Sequence, residues 1–349
     1  MARNGKAALL VSITLTGGCA GDNGDKVDEL FADYAGTGQP GAAVLVVHDG
    51  LPVLTRVYGL ADVERNIAIT ADTNFRLASL TKQFTAMCVL MLVDRGKLDL
   101  EQSISDVFAD FPQYGSRISI RNLLQHTSGL IDYEDFVPED SPVQVSDRGV
   151  LDILQQQDTL YFDPGTQYRY SNSGYALLAM MVEEVSGQSF AEFLHDNIFS
   201  PLGMTGTVAH QDGISTVPNR AYGYTVDASG ISGSDQSPWS AVLGDGGIYS
   251  SLNDLAKWDQ ALYTEQLVPA ALFEQAITPK YEDYGFGWRN DEFHGQKRMH
   301  HSGSTSGFRN FIQRFPGRRL TVIALTNHRD PEVDPLAEAV ARLYLDSGS

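Results

Sequence analysis

Apolar positions first recur at helical spacing in "KVDELFADYAG", where Val27, Leu30, Phe31 and Tyr34 fall on one face and predict a helix. The pattern then shortens. "GAAVLVVHDG" and "LPVLTRVYGLADV" read as two strands joined by the turn "HDGLP". From about residue 76 to 240 the spacing is helical and loop-rich. "FRLASLTKQFTAMCVLML" stops at "DRGK", and "ISIRNLLQHTSG" and "SGYALLAMMVEEVSG" predict two more helices, each closed by glycine. Strand signals return in "GGIYSS", "YGFGWR", "RMHHSG", "FRNFIQRFP" and "RLTVIALTNH", and "EVDPLAEAVARLYL" predicts a closing amphipathic helix. Regular strand–helix alternation is absent. The order therefore predicts an α+β fold: an antiparallel sheet built from both chain ends, flanked by helices, with a mostly α region of about residues 76–240 inserted between them.

Composition narrows the class. In 349 residues, 42% apolar and 10% aromatic side chains suffice for a sizeable core. Forty-four acidic against 25 basic residues give a net charge of −19, which repels phosphate backbones and argues against nucleic-acid partners. Arg3 and Lys6, an apolar run from Ala7 and small residues up to Cys19 have the layout of an export signal too short to span a membrane. Residues 1–26 are accordingly read as export signal and linker, and 27–349 as the functional domain. Leu15 to Cys19 also resembles a bacterial lipobox, with Leu15 one place further from the cysteine than that pattern prefers. The resemblance implies a lipidated Cys19 and an exported protein, periplasmic or membrane-anchored. Cys88 alone then remains in the body of the chain, as a small core residue with no disulfide partner.

Most chemical motifs fail on context. Gly36, Gly38 and Gly41 space like a dinucleotide fingerprint but precede a strand and flank Pro40. The eight histidines include no H-E-x-x-H, and the adjacent His300 and His301 point to opposite faces of a strand, so neither a metal nor a cofactor is expected. "GSTSG" puts threonine where a nucleophile elbow needs serine.

Ser79 and Lys82 are a different case, because residues three apart share a helix face and an amine there reaches the hydroxyl. A serine hydroxyl needs a base to take its proton, and a lysine serves only if its surroundings disfavour its charge. The apolar residues Phe84, Met87 and Leu90 suggest such surroundings. Taken alone, S-x-x-K also fits a helix-start serine and a surface lysine. Tyr170 and Asn172 form the chain's sole Y-x-N, and His301, Ser302 and Gly303 follow on a predicted strand.

In this order the three motifs resemble the serine β-lactamase and penicillin-binding-protein family, in the branch with Y-x-N in second place. That branch includes class C β-lactamases, D,D-carboxypeptidases, D-aminopeptidases and β-lactamase-fold esterases. "HTSGL", "PGTQYRYSNSGY" and "GGIYSSLNDLAKW" extend the likeness. The resemblance implies a β-lactamase/transpeptidase-like fold and an acyl-enzyme on Ser79. It implies oxyanion donors from the N–H groups of Ser79 and Ser304, and proton transfer by Lys82 and Tyr170. Asn172 would hold the acyl amide, and Gly303 would let the substrate backbone approach. Where β-lactamases of the branch mostly carry lysine, this chain has His301, an imidazole expected to be partly cationic near neutral pH and to hold a carboxylate better near pH 6 than near pH 8. The expected activity is hydrolysis of an ester or amide, a D-amino-acid peptide or short acyl ester. A true β-lactamase and a non-turnover penicillin sensor are the alternatives.

Overall fold

A computed structural model describes residues 20–346; the export signal and Cys19 lie outside the described residues. Six antiparallel strands form the main sheet, in the order Arg289–Phe293, Gln296–Thr305, Phe308–Phe315, Leu320–Thr326, Ala42–His48 and Leu51–Tyr58. Both ends of the chain thus meet in one sheet, and Ala42–His48 pairs with Leu320–Thr326 across almost the whole sequence.

Ala42–His48 is buried along nearly its whole length because both sheet faces are covered. Its period-2 alternation sends Ala42, Val44 and Val46 into one core with Phe311, Phe315 and Val322, under the helices Ala20–Leu30 and Asp334–Leu345. Ala43, Leu45 and Val47 enter a second, larger core beneath the inserted helices. That core is centred on the helices Lys82–Asp94 and Asn172–Ser186, the latter closed by Gly187 at a φ of 73°.

Three local readings of the sequence change. "ISIRNLLQHTSG" is helical only over Ile120–Leu124, started by a Ser119–Asn122 capping box. Beyond it His126 turns to a φ of 56° and the Thr127 N–H closes back on the Asn122 carbonyl. "YGFGWR" is a loop whose Gly287, at a φ of 72°, lies against the Lys82–Gln83 backbone, and the strand begins only at Arg289. The helical region also runs past residue 240, with Leu252–Ala261 and Ala270–Ala276.

Candidate active site

The short strand Phe75–Arg76 pairs with Ile248–Ser250, and the Leu77 N–H donates to the Ile248 carbonyl at 2.8 Å. The chain then reverses through Ala78, whose φ of 51° is unusual for a residue with a side chain, into one 3₁₀ turn, Ala78–Thr81. Ser79 lies in that turn, and Lys82 is the first residue of the helix that follows it. Gly303 explains how the turn fits against the sheet. A Cβ there would collide with the Leu77 carbonyl oxygen, so the glycine admits the close approach of the chain's own turn.

Lys82 is fully buried. Its Nζ donates to Ser79 Oγ at 3.0 Å, to Asn172 Oδ1 at 2.9 Å and to the Asp245 carbonyl at 2.9 Å. The apolar surroundings read from the sequence therefore hold for the rest of its helix, while oxygen acceptors surround the amine itself. Asn172 opens its helix behind the Ser171 cap, which accepts the Gly174 N–H. With Oδ1 facing Lys82, its Nδ2 donates to Glu134 Oε1 at 2.9 Å, a chain that fixes the amide's orientation.

Tyr170 stands beside this group, its ring centroid 4.9 Å from Lys82 Nζ. Its hydroxyl is buried and has no hydrogen-bond partner among the described residues. Behind it, His126 accepts the Ser171 N–H at Nδ1, and burial holds its imidazole well below the ordinary range.

His301 corrects an expectation. It is 4% exposed, with Nδ1 2.6 Å from the Ser302 carbonyl and Nε2 2.9 Å from the Tyr284 hydroxyl, so Nδ1–H donates to the carbonyl and Nε2 accepts from the phenol. Burial, with the positive charges of Lys82 and Arg289, pushes its pKa down to about 3, although the Ser302 carbonyl favours the charged form. The imidazole is neutral at physiological pH and turned toward Tyr284.

Strand Arg289–Phe293 pairs with its neighbour only as far as His300. His301–Thr305 is therefore paired on one side alone, with Phe308–Ile312, and packs toward the Ser79 turn on the other. Ser79, Asn172, Ser304 and Thr305 share the wall of a small cavity of about 70 Å³. Larger open depressions exist, one of about 560 Å³ beside Lys97 and Leu272, but its lining lies away from Ser79.

The sequence reading missed the acidic side of this cavity. Glu134 and Asp245 line it, and Tyr133 donates its hydroxyl to Asp245 Oδ2 at 2.9 Å. Burial raises the Glu134 carboxyl, and Asp132 adds to the shift. Burial also raises Asp245 to about 6, against the opposing pull of Lys82 and Tyr133. Asp147 accepts the N–H groups of Leu243 and Gly244, holding the segment whose Asp245 carbonyl receives Lys82. "DYED", directly after "HTSGLI", was the available signal, an acidic cluster ending a loop that reaches the Y-x-N helix. Among the described residues no group of three or more His, Cys, Asp or Glu is arranged to hold a metal ion.

The sequence model of the Beta-lactamase family matches residues 27–346. Penicillin-binding protein 4* of Bacillus subtilis (strain 168) is 32% identical over 323 residues, an alignment covering 86% of this chain and 71% of that protein. A D-aminopeptidase of Gluconobacter oxydans (strain 621H) is 31% identical over 313 residues, covering 86% of this chain but 58% of its own length. Among solved structures, the octameric penicillin-binding protein homologue from Pyrococcus abyssi superposes with a TM-score of 0.83 at 26% identity, over 93% of this chain and 77% of that one. A D-amino acid amidase from Ochrobactrum anthropi SV3, complexed with L-phenylalanine amide, shares the fold with a TM-score of 0.80 at 23% identity, over 94% and 100% of the two chains.

Proposed function

The chain belongs to the beta-lactamase family of serine hydrolases, and on that premise we propose that it hydrolyses amides or peptides of D-amino acids whose α-ammonium is free, through an acyl-enzyme on Ser79. The observation that carries the reading is the hydrogen-bonded chain Ser79–Lys82–Asn172–Glu134. It sets a nucleophile and its proton acceptor at one end of the cavity and a carboxylate at the other. D-Aminopeptidases among the relatives support the same substrate class.

In this reading Lys82 acts as the free amine, keeping its two N–H donors on Asn172 Oδ1 and the Asp245 carbonyl, and Ser79 Oγ attacks the carbonyl carbon as its proton passes to the Nζ lone pair 3.0 Å away. The oxyanion forms between the backbone N–H groups of Ser79 and Ser304, donors of a kind worth roughly 3–4 kcal/mol. The proton then goes to the leaving nitrogen as the C–N bond breaks. Water, activated with the help of Tyr170, attacks the ester carbonyl and restores Ser79. Asn172 holds the acyl segment, and Glu134 pairs with its ammonium. A β-lactam or a peptide C-terminus presents a carboxylate, and neutral His301 offers it no charge. Export and lipidation at Cys19 belong to the same proposal and rest on residues 1–26; a mature N-terminus mapped downstream of Cys19 contradicts the lipidation.

Comparing kcat/KM for D-alanine p-nitroanilide and its N-acetyl derivative tests the reading. The free amine should be preferred by about tenfold or more, and Glu134→Gln should remove most of that preference. Equal turnover of the two substrates by the wild-type enzyme overturns it.

A further inference from the structure

The cavity beside Ser79 has a volume of about 70 Å³. Pockets that enclose drug-sized ligands run to roughly 300–1,000 Å³. The largest side chain in its lining is that of Trp239. The indole of Trp239 forms a wall of the cavity with Ser237, and its N–H is buried without an acceptor among the described residues.

The segment that carries Trp239 is pinned from several directions. Arg76, itself buried, donates to the Ser240 carbonyl at 2.8 Å. Gln144 donates to the Ser237 carbonyl at 3.0 Å, and the Val145 N–H to the Pro238 carbonyl at 2.8 Å. The Ser237 N–H closes on Ser240 Oγ at 2.9 Å. A wall held at both flanks does not swing aside cheaply, so the space it leaves limits the group bound to Ser79.

We infer that Trp239 is the size gate of the acyl site, restricting the acyl group on Ser79 to small side chains of the glycine and D-alanine class and excluding aromatic ones. The inference rests on the acyl-enzyme reading above but not on recognition of the ammonium. The leaving group departs, whereas the acyl group remains attached to Ser79 Oγ until water releases it. The acyl group must therefore fit between the nucleophile, Asn172 and the indole. The unpartnered indole N–H lies in the same wall, but it is the ring's bulk that sets the limit.

Two substrate pairs keep this inference separate from the reading it rests on. The first is D-alanine against D-phenylalanine p-nitroanilide; the second, p-nitrophenyl acetate against p-nitrophenyl phenylacetate, carries no ammonium. Wild-type kcat/KM should favour the smaller member of each pair by about tenfold or more. Trp239→Ala should shift both ratios toward the larger member by at least about that factor, whereas Trp239→Phe, which deletes the N–H but keeps a ring, should retain most of the preference. Trp239→Leu replaces the alanine variant if thermal melting shows that the latter does not fold. A wild-type enzyme that accepts the aromatic member of the ester pair equally well, or an ester ratio unmoved in a folded Trp239→Ala or Trp239→Leu variant, overturns the gate. Absence of turnover of both anilides, with the ester ratio behaving as stated, supports the gate and counts against the free-ammonium proposal, whereas equal turnover of the two anilides overturns the gate.

Discussion

His301 shows how a single environment reverses a sequence expectation. On composition alone an imidazole at this position is partly protonated near neutral pH. In the fold it accepts from the Tyr284 hydroxyl, and burial away from solvent pushes its pKa down to about 3. The folded-state value lies below the ordinary 6.5, so protonation is centred far below the working range and no cation appears between pH 8 and pH 6. Any change across that interval in the ratio of kcat/KM for a chromogenic cephalosporin to that for p-nitrophenyl acetate should therefore persist in His301→Gln, since the titrating groups of the cavity wall are Glu134 and Asp245. A rise of several-fold toward pH 6 that His301→Gln abolishes would mean that His301 charges and faces the substrate. Ser79, Lys82, Tyr170 and Asn172 were legible because each belongs to a motif with fixed spacing. Glu134 and Trp239 were not, since they reach the cavity from loops whose path no local pattern specifies.

Gly303 and the turn Ala78–Thr81 give the corresponding lesson for elements. The sequence pattern assigned a strand to one and a helix start to the other, but not their contact. The missing Cβ of Gly303 leaves room for the Leu77 carbonyl, which lets the turn lie against the one-sided edge His301–Thr305. Gly303→Ala should displace the turn and cut fluorophosphonate labelling of Ser79 by about tenfold or more, even where the variant remains folded by circular dichroism. Unchanged labelling would show that the two elements need not touch for the site to form. "YGFGWR" and "HTSG" eluded a local reading for a related reason. Each is drawn into a loop by tertiary contacts, such as the approach of Gly287 to the backbone of Lys82, that alternating or helical spacing does not encode.

Across the whole molecule, the sheet joins both chain ends and carries a core on each face, an organisation readable from the order of strand and helix signals. Less readable is the polar tie between sheet and inserted helices. Arg314 Nε lies 2.5 Å from Asp259 Oδ1, both side chains only 1% exposed, and Thr321 donates to the same oxygen at 2.7 Å. Asp259→Ala leaves a buried guanidinium without its counter-charge and should cost about 3–5 kcal/mol of unfolding free energy. Denaturant unfolding that registers less than about 1 kcal/mol would show that the pair relaxes or hydrates on mutation.

The most direct measurement of the central claim is peptide mapping after acid quench during turnover of D-alanine p-nitrophenyl ester. A D-alanyl adduct should sit on the peptide containing Ser79, disappear in Lys82→Ala, and accumulate in Tyr170→Phe as deacylation slows. An adduct on Ser302, Ser304 or Ser306, or steady turnover with no covalent intermediate in the wild type and in Tyr170→Phe, would contradict the account.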